Sequence, residues 1–194
     1  RRYFPARLCP GGAYRNGKEA YHVTRASKRV GARGEKAMIR LARKEDYEAI
    51  NVLRAPVCEL HANSYPNVFK PVFAQDHQER VLKMIENPEQ EVFVAEESGV
   101  LLGFAMVEYI KREETNSMYA VHTAHIVEIG VDEKAQGKGV GTALIETVKT
   151  EAKARGCHSV QLDVWEFNKS ALRFYEKLGF ATFRRKMEQV LDES

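Results

Sequence analysis

The order of strand-like and helix-like segments from Met38 onward is the feature that most constrains what this chain can fold into. Apolar residues with a period of two predict strands, and a period of about 3.6 predicts helices. We predict strands over residues 38–42, 91–97, 100–111, 119–131, 158–165 and 180–190. We predict helices over residues 44–61, 76–87, 140–155 and 170–178. The expected fold class is therefore mixed α/β, with antiparallel strands early and a strand-helix-strand unit later.

Local signals set several of these boundaries. Ser98-Gly99, between two strand patterns, indicates a hairpin. Asp76 is expected to cap the second helix, and Gly156 follows the third helix where a C-cap glycine belongs. Pro56 lies inside the first helical pattern and lacks an amide hydrogen, so it is expected to kink or split that helix.

Residues 1–37 differ from the rest of the chain. They hold ten Lys or Arg against two acids, whereas residues 38–194 hold twenty against twenty-five. We interpret them as a basic N-terminal extension outside the core, preceding a domain over 38–194, with Met38 a candidate natural start. A leader that is vector-derived or mis-started, a targeting segment, and an arm for nucleic acid or anionic lipid stay open. Because the remainder is acidic overall, we do not expect nucleic acid to be a partner.

Composition excludes other classes. With 44% hydrophobic and 29% charged residues the chain suits a packed globular domain, and no stretch approaches the roughly 18 apolar residues of a membrane span. We expect a cytoplasmic protein, because its three cysteines are scattered and form no C-x-x-C pair. The histidines show no metal-ligand spacing, so no metal is expected.

The strongest chemical signal is the glycine-rich junction Gln-Gly-Lys-Gly-Val-Gly-Thr at 136–142, between a predicted strand and a predicted helix. Glycines let the backbone approach a ligand, and the amide groups at a helix N-terminus favour an anion. A Walker loop requires Ser or Thr after the Gly-Lys pair, where Gly139 stands, and a dinucleotide fingerprint requires Gly where Thr142 stands. A glycine-rich connection without a ligand stays open for this loop alone.

Two motifs together extend this interpretation. Gln136-x-x-Gly139-x-Gly141 resembles the Gln/Arg-x-x-Gly-x-Gly/Ala signature of the GNAT superfamily of acyl-CoA-dependent N-acetyltransferases. From Asn168 to Phe180 the pattern Asn-x-x-Ala-x-x-x-Tyr-x-x-x-Gly-Phe resembles that superfamily's second motif. The resemblance covers Met38 to about Val190. It implies the GNAT fold, with antiparallel N-terminal strands and a parallel pair splayed around the cofactor.

The resemblance also implies acetyl-CoA as the cofactor. In the family the glycine loop cradles the CoA pyrophosphate with backbone amides, here those of Gln136, Gly137, Lys138, Gly139, Val140, Gly141 and Thr142. The pantetheine arm pairs with the strand before the loop, and Ile129 and Val131 are the matching backbone positions. Asn168 matches a position whose side chain often contacts the pantetheine.

Catalytic candidates follow from the same resemblance and from pKa values. A primary amine has a pKa near 10.4, so a base or a water relay is needed to give the free amine at neutral pH. Tyr175 resembles the family's general acid. His125 and Glu128 are the candidate bases, and strict strand alternation predicts that His125 shares a face with Ile129 and Val131 while Glu128 shares the other with His122.

Four aromatic positions are weaker candidates. His61 and Tyr65 fall in the loop that helps to wall the acceptor site in the family, although packing or capping is the simpler role. Trp165 and Phe167 precede the second motif, and core packing explains them.

We therefore expect an acetyltransferase that moves acetyl from acetyl-CoA to a primary amine of a small molecule or peptide by direct attack in a ternary complex. The alternative is a catalytically idle acyl-CoA-binding regulatory module. An edge strand at 180–190 is expected to allow a homodimer.

Overall fold

Six strands form one mixed sheet in the order in which they occur along the chain. The computed structural model describes residues 29–30 and 37–191, so most of the predicted extension lies outside the described residues. The strands are β1 (Arg29–Val30), β2 (Ala37–Leu41), β3 (Gln90–Glu97), β4 (Val100–Arg112), β5 (Val121–Val131) and β6 (Ser159–Leu162). The helices are α1 (Tyr47–Ser64), α2 (Gln75–Glu86), α3 (Val140–Ala154) and α4 (Lys169–Lys177). Neighbouring strands are antiparallel except for the parallel pair β5–β6, which confirms the predicted fold class.

Helices cover both faces of the sheet, and each face has its own core. On one face, α3 buries Leu144, Ile145 and Val148 against β3, β4 and β5. On the other face, Ile50 of α1 and Val81 of α2 pack against β3 and β4. Burial on both faces gives the central strands continuous apolar runs rather than alternation.

The hairpin between β3 and β4 is confirmed. Ser98 and Gly99 have φ angles of 50° and 81°, so both residues are left-handed. Two central residues with positive φ define the type I′ turn whose twist matches that of paired strands.

A β-bulge in β5 overturns the predicted strand faces. Met106 pairs with Glu128 and Val107 with Ile126, which leaves Val127 as the extra residue. Ile126 and Ile129 therefore both face the α3 core although they are three positions apart. The prediction that His125 shares a face with Ile129 and Val131 is wrong, because alternation before the bulge directs it to the α1 side.

The parallel ladder between β5 and β6 is short. It ends at the pair Ile126–Leu162, whereas β5 continues to Val131. Within the described residues the two strands thus part at the bulge, leaving one edge of residues 127–131 outside the parallel ladder. This parting of β5 and β6 matches the parallel pair that is expected from the sequence to be splayed apart.

The strand predicted over 180–190 is wrong. Residues 179–191 have no regular structure, and Phe183, Met187 and Val190 are 75%, 90% and 74% exposed. A strand needs a partner ladder, and the basic run at 184–186 interrupts the alternation that would bury one face. The expected homodimer contact through this segment loses its basis.

Two helix predictions also need correction. α1 runs unbroken through Pro56, because Arg54 and Ala62 on either side of it are buried and tertiary packing holds both halves. Ala74, rather than Asp76, is the N-cap of α2. No helix in the described part of the chain combines the length and apolarity needed to cross a lipid bilayer.

Candidate active site

The glycine loop lies between the end of β5 and the N-terminus of α3. Gly137 and Gly139 have φ angles of 74° and 85°, conformations that favour glycine. α3 begins at Val140, so the first amides of the helix lack intrahelical acceptors. The loop therefore has the geometry of an anion site at the positive end of a helix dipole.

The backbone amides of this loop differ in the hydrogen bonds that they make within the protein. The amides of Gln136 and Lys138 donate to the carbonyl oxygens of Glu133 and Ala135 at 3.3 and 3.4 Å. The Gln136 side chain donates to the Val131 carbonyl oxygen at 3.5 Å. The anion would thus be held mainly by the amides of Gly137, Gly139, Val140, Gly141 and Thr142.

The structure gives a reason for a small residue at position 141 that the sequence did not indicate. A Cβ atom there would lie 3.1 Å from Cζ of Phe174. The small residue makes room for a ring of α4, so this glycine joins the two motifs in space. Phe174 was not predicted as a site residue.

Asn168 caps α4. Its Oδ1 accepts from the Ala171 amide at 3.1 Å and from the Ser170 hydroxyl at 3.0 Å. This oxygen is therefore already hydrogen-bonded within the protein. An Asn just before a helical pattern is a capping signal that can be recognised in the sequence.

Tyr175 packs on the α3 side of the sheet. Its ring centroid lies 5.3 Å from that of Phe174 and 5.8 Å from that of Phe180. Burial raises the pKa of Tyr175 to about 12, so the hydroxyl is protonated at neutral pH. A protonated hydroxyl is the state in which a tyrosine can act as a general acid.

Glu128 lies on the opposite face and is bound by a residue that sequence reasoning missed. Arg54 of α1 is fully buried and donates to both carboxylate oxygens of Glu128 at 2.8–3.1 Å. Arg54 also donates to Asn51 Oδ1 at 3.0 Å and to the His77 carbonyl oxygen at 2.8 Å. The buried guanidinium thus holds the carboxylate group of Glu128 in place through charge-assisted hydrogen bonds.

His77 and Cys58 extend this cluster. Cys58 Sγ lies 3.6 Å from His77 Nε2, which lies 3.9 Å from Glu128 Oε2. Burial lowers the pKa of His77 and raises that of the Cys58 thiol, which favours the neutral form of both. These three groups could together ligate a cation, although Glu128 already has Arg54 as its partner.

His125 has a weaker partner. Its Nε2 lies 3.8 Å from Oδ2 of Asp163, a residue whose side chain is 88% exposed. The pair occupies the end of the β5–β6 ladder, where the strands begin to part.

Five aromatic side chains form a cluster that we call the aromatic wall: His61, Tyr65, Phe69, Trp165 and Phe167. They come from the end of α1, the loop after it, and the loop between β6 and α4. Trp165 has ring centroids of Tyr65, Phe69 and Phe167 at 5.3, 5.2 and 5.9 Å, yet it is 39% exposed. The core role predicted for Trp165 is therefore wrong, because the end of α1 and two loops meet there at the surface.

Comparison with known proteins agrees with this geometry. The model of the "Acetyltransferase (GNAT) family" matches residues 54–180. An uncharacterized N-acetyltransferase of Methanocaldococcus jannaschii is 36% identical over 99 residues, which are 50% of this chain and 42% of that protein. The [ribosomal protein bS18]-alanine N-acetyltransferase of Escherichia coli K12 is 30% identical over 136 residues, 69% of this chain and 78% of that enzyme.

A solved structure has the same fold. The tetramutant of the BH1408 protein from Bacillus halodurans superposes with a TM-score of 0.76 at 26% identity, covering 79% of this chain and 99% of that one. The chain thus spans nearly all of this structure but less than half of the archaeal relative.

Proposed function

Because the chain belongs to the GNAT family of acetyltransferases, we propose that it transfers the acetyl group of acetyl-CoA to a primary amine by direct attack in a ternary complex. One observation carries the proposal: the glycine loop follows a strand that parts from its parallel neighbour. An anion site and an open strand edge, one directly after the other, suit a ligand with a pyrophosphate and an amide-bearing arm.

The cofactor would lie along β5 and end at α3. The pyrophosphate would accept hydrogen bonds from the amides at 137–142 that the loop itself does not use. The pantetheine amides would pair with the backbone between Ile129 and Val131, whose side chains pack against the α3 core and leave the strand edge open. Asn168 would contribute through its amide group, since its oxygen caps α4.

The reaction needs one proton acceptor and one proton donor. The amine nitrogen attacks the thioester carbonyl carbon, the new C–N bond forms, and collapse of the tetrahedral intermediate breaks the C–S bond. Glu128, or His125 through a water molecule, accepts the proton released by the amine. Tyr175 gives its proton to the departing CoA sulfur. Acid and base approach from opposite faces of the sheet, where the strands part.

A catalytically idle acyl-CoA-binding module is the second candidate. The observation that favours it is the Arg54–Glu128 pair, because both carboxylate oxygens of Glu128 already accept hydrogen bonds from a buried guanidinium and so have less capacity left for a substrate amine. In that case the protein would bind acetyl-CoA without amine-dependent release of CoA.

Thiol release from acetyl-CoA across a panel of amines tests the transferase proposal. Release that depends on an amine, and that falls by about tenfold or more in Tyr175→Phe with unchanged acetyl-CoA affinity, is the expected result. Binding of acetyl-CoA without release under every amine would contradict it in favour of the module.

A matched pair of variants tests the cradle. A Cβ at Gly137 meets nothing within 4 Å, and Asp and Asn tolerate its left-handed backbone similarly well. Gly137→Asp should weaken acetyl-CoA binding in calorimetry about tenfold more than Gly137→Asn, because only Asp adds charge beside the pyrophosphate. Equal affinities of the two variants for acetyl-CoA would show that the pyrophosphate does not bind at this loop.

A further inference from the structure

The aromatic wall is connected to Glu128 by one face of α1. This face carries Arg54, Cys58 and His61, whose spacings of four and three residues place them on one stripe of the helix, and Tyr65 is the C-cap that follows. At one end of the stripe Arg54 binds Glu128, and at the other end His61 is itself a member of the aromatic wall.

The length of the stripe limits the size of a ligand. His61 comes seven positions after Arg54, which is a rise of about 10 Å along the helix axis. An amine within hydrogen-bond reach of Glu128 uses about 3 Å of this distance. The remainder corresponds to a short alkyl linker that ends in a ring.

Two carboxylates along this surface have basic partners. Glu128 is paired with Arg54, and Glu166, beside Trp165, is paired with Lys169 at 2.6 Å. Burial lowers the pKa of His61, so this member of the wall is neutral at pH 7. A flat apolar group needs only ring faces, which the aromatic wall supplies.

We propose that the acceptor is an arylalkylamine, whose amine reaches Glu128 while its aromatic ring stacks on Trp165 in the aromatic wall. This inference rests on the proposed function for turnover. Binding of the ring does not depend on turnover, and so the two can be tested separately.

Fluorescence tests the binding step directly. Trp165 is the single tryptophan of the chain, so selective tryptophan excitation reports on the wall alone. Titration of the acetyl-CoA-saturated protein with 2-phenylethylamine should change the emission saturably. Butylamine and spermidine at the same concentrations should change it little. A larger saturable response to spermidine, or none to 2-phenylethylamine, would overturn the inference.

Kinetics test the same contact through selectivity. Trp165→Ala should reduce the kcat/KM ratio of 2-phenylethylamine to butylamine by about tenfold, the size of an aromatic contact. Trp165→Phe keeps a ring and should recover most of that ratio, which separates stacking from misfolding. Tyr119→Ala is the matched control, because Tyr119 is 83% exposed and precedes β5.

The outcomes separate the two proposals. Saturable binding of 2-phenylethylamine with no turnover of any amine supports the wall and contradicts the transferase. Turnover of other amines with a selectivity ratio that Trp165→Ala leaves unchanged contradicts the wall and supports the transferase.

Discussion

Tyr175 shows how the surroundings of one residue set its chemistry. Its ring lies beside those of Phe174 and Phe180, and burial rather than a charged neighbour raises its pKa to about 12. The same burial makes ionisation of this phenol costly in the folded state. Tyr175 is therefore tied to stability at high pH as well as to the proposed acid step.

This linkage predicts a pH dependence. The folded-state pKa lies above the unfolded value near 10, so the contribution of Tyr175 is fully present below pH 10 and is lost as pH rises toward 12. The difference in free energy of unfolding between the native chain and Tyr175→Phe should shift against the native chain by on the order of 2 kcal/mol across this range. Urea unfolding at several pH values measures it. A constant difference would place the hydroxyl in contact with water.

Arg54 and Glu128 are a buried pair whose members depend on each other. Arg54→Met should destabilise the fold by about 3–5 kcal/mol, because it leaves a carboxylate with 13% side-chain exposure uncompensated. Glu128→Gln leaves the fully buried guanidinium uncompensated. The double variant should recover part of the loss, and a double-mutant cycle by urea unfolding measures the coupling. Additive losses would mean that solvent screens the pair.

At the scale of elements, the bulge in β5 decides what each side of the strand presents. Without Val127 as the extra residue, Glu128 and the residues after it would exchange faces with their neighbours. The bulge lies where β5 leaves β6, so one irregularity accompanies both the parting of the strands and the placement of Glu128 toward α1. A bulge leaves no reliable period in the sequence, and strict alternation therefore assigned the faces incorrectly.

Packing of β5 on β4 gives a test of this arrangement. A Cβ at Gly130 would lie 2.6 Å from Cε1 of Phe104, which is fully buried. Gly130→Ala should therefore cost about 1–3 kcal/mol, measured by thermal or urea unfolding. Compared with Phe104→Leu alone, adding Gly130→Ala should cost less than it does in the native chain, because the ring edge is gone. An equal cost in both backgrounds would exclude this contact as the cause.

At the scale of the whole molecule, the two faces of the sheet carry different parts of the candidate site. The α3 face holds the glycine loop and Tyr175, whereas the α1 face holds Glu128 and leads to the aromatic wall. The parted strands join the two faces. The C-terminal segment after Phe180 runs outside both cores, although Tyr65 contacts Glu188 within it.

Truncation tests how far the folded unit extends. Removing residues 182–194 should change the free energy of unfolding by less than about 1 kcal/mol, because Phe183, Met187 and Leu191 are 75%, 90% and 81% exposed. Removing residues 170–194, which deletes most of α4 and Tyr175, should destabilise the fold severely. Thermal unfolding of both chains measures this. A large loss from the shorter deletion would show that the tail is part of the core.

The sequence by itself determined the order and type of most elements, the hairpin at Ser98-Gly99 and the two motifs that indicate a GNAT acetyltransferase. These depend on local periods, turn residues and fixed spacings, which are properties of neighbours in the chain. Tertiary structure alone decided the face of Glu128, its burial against Arg54, the fit of Phe174 over Gly141 and the meeting of a helix end and two loops around Trp165. Each of these features depends on contact between residues that are far apart in sequence, and local sequence patterns do not predict such contacts.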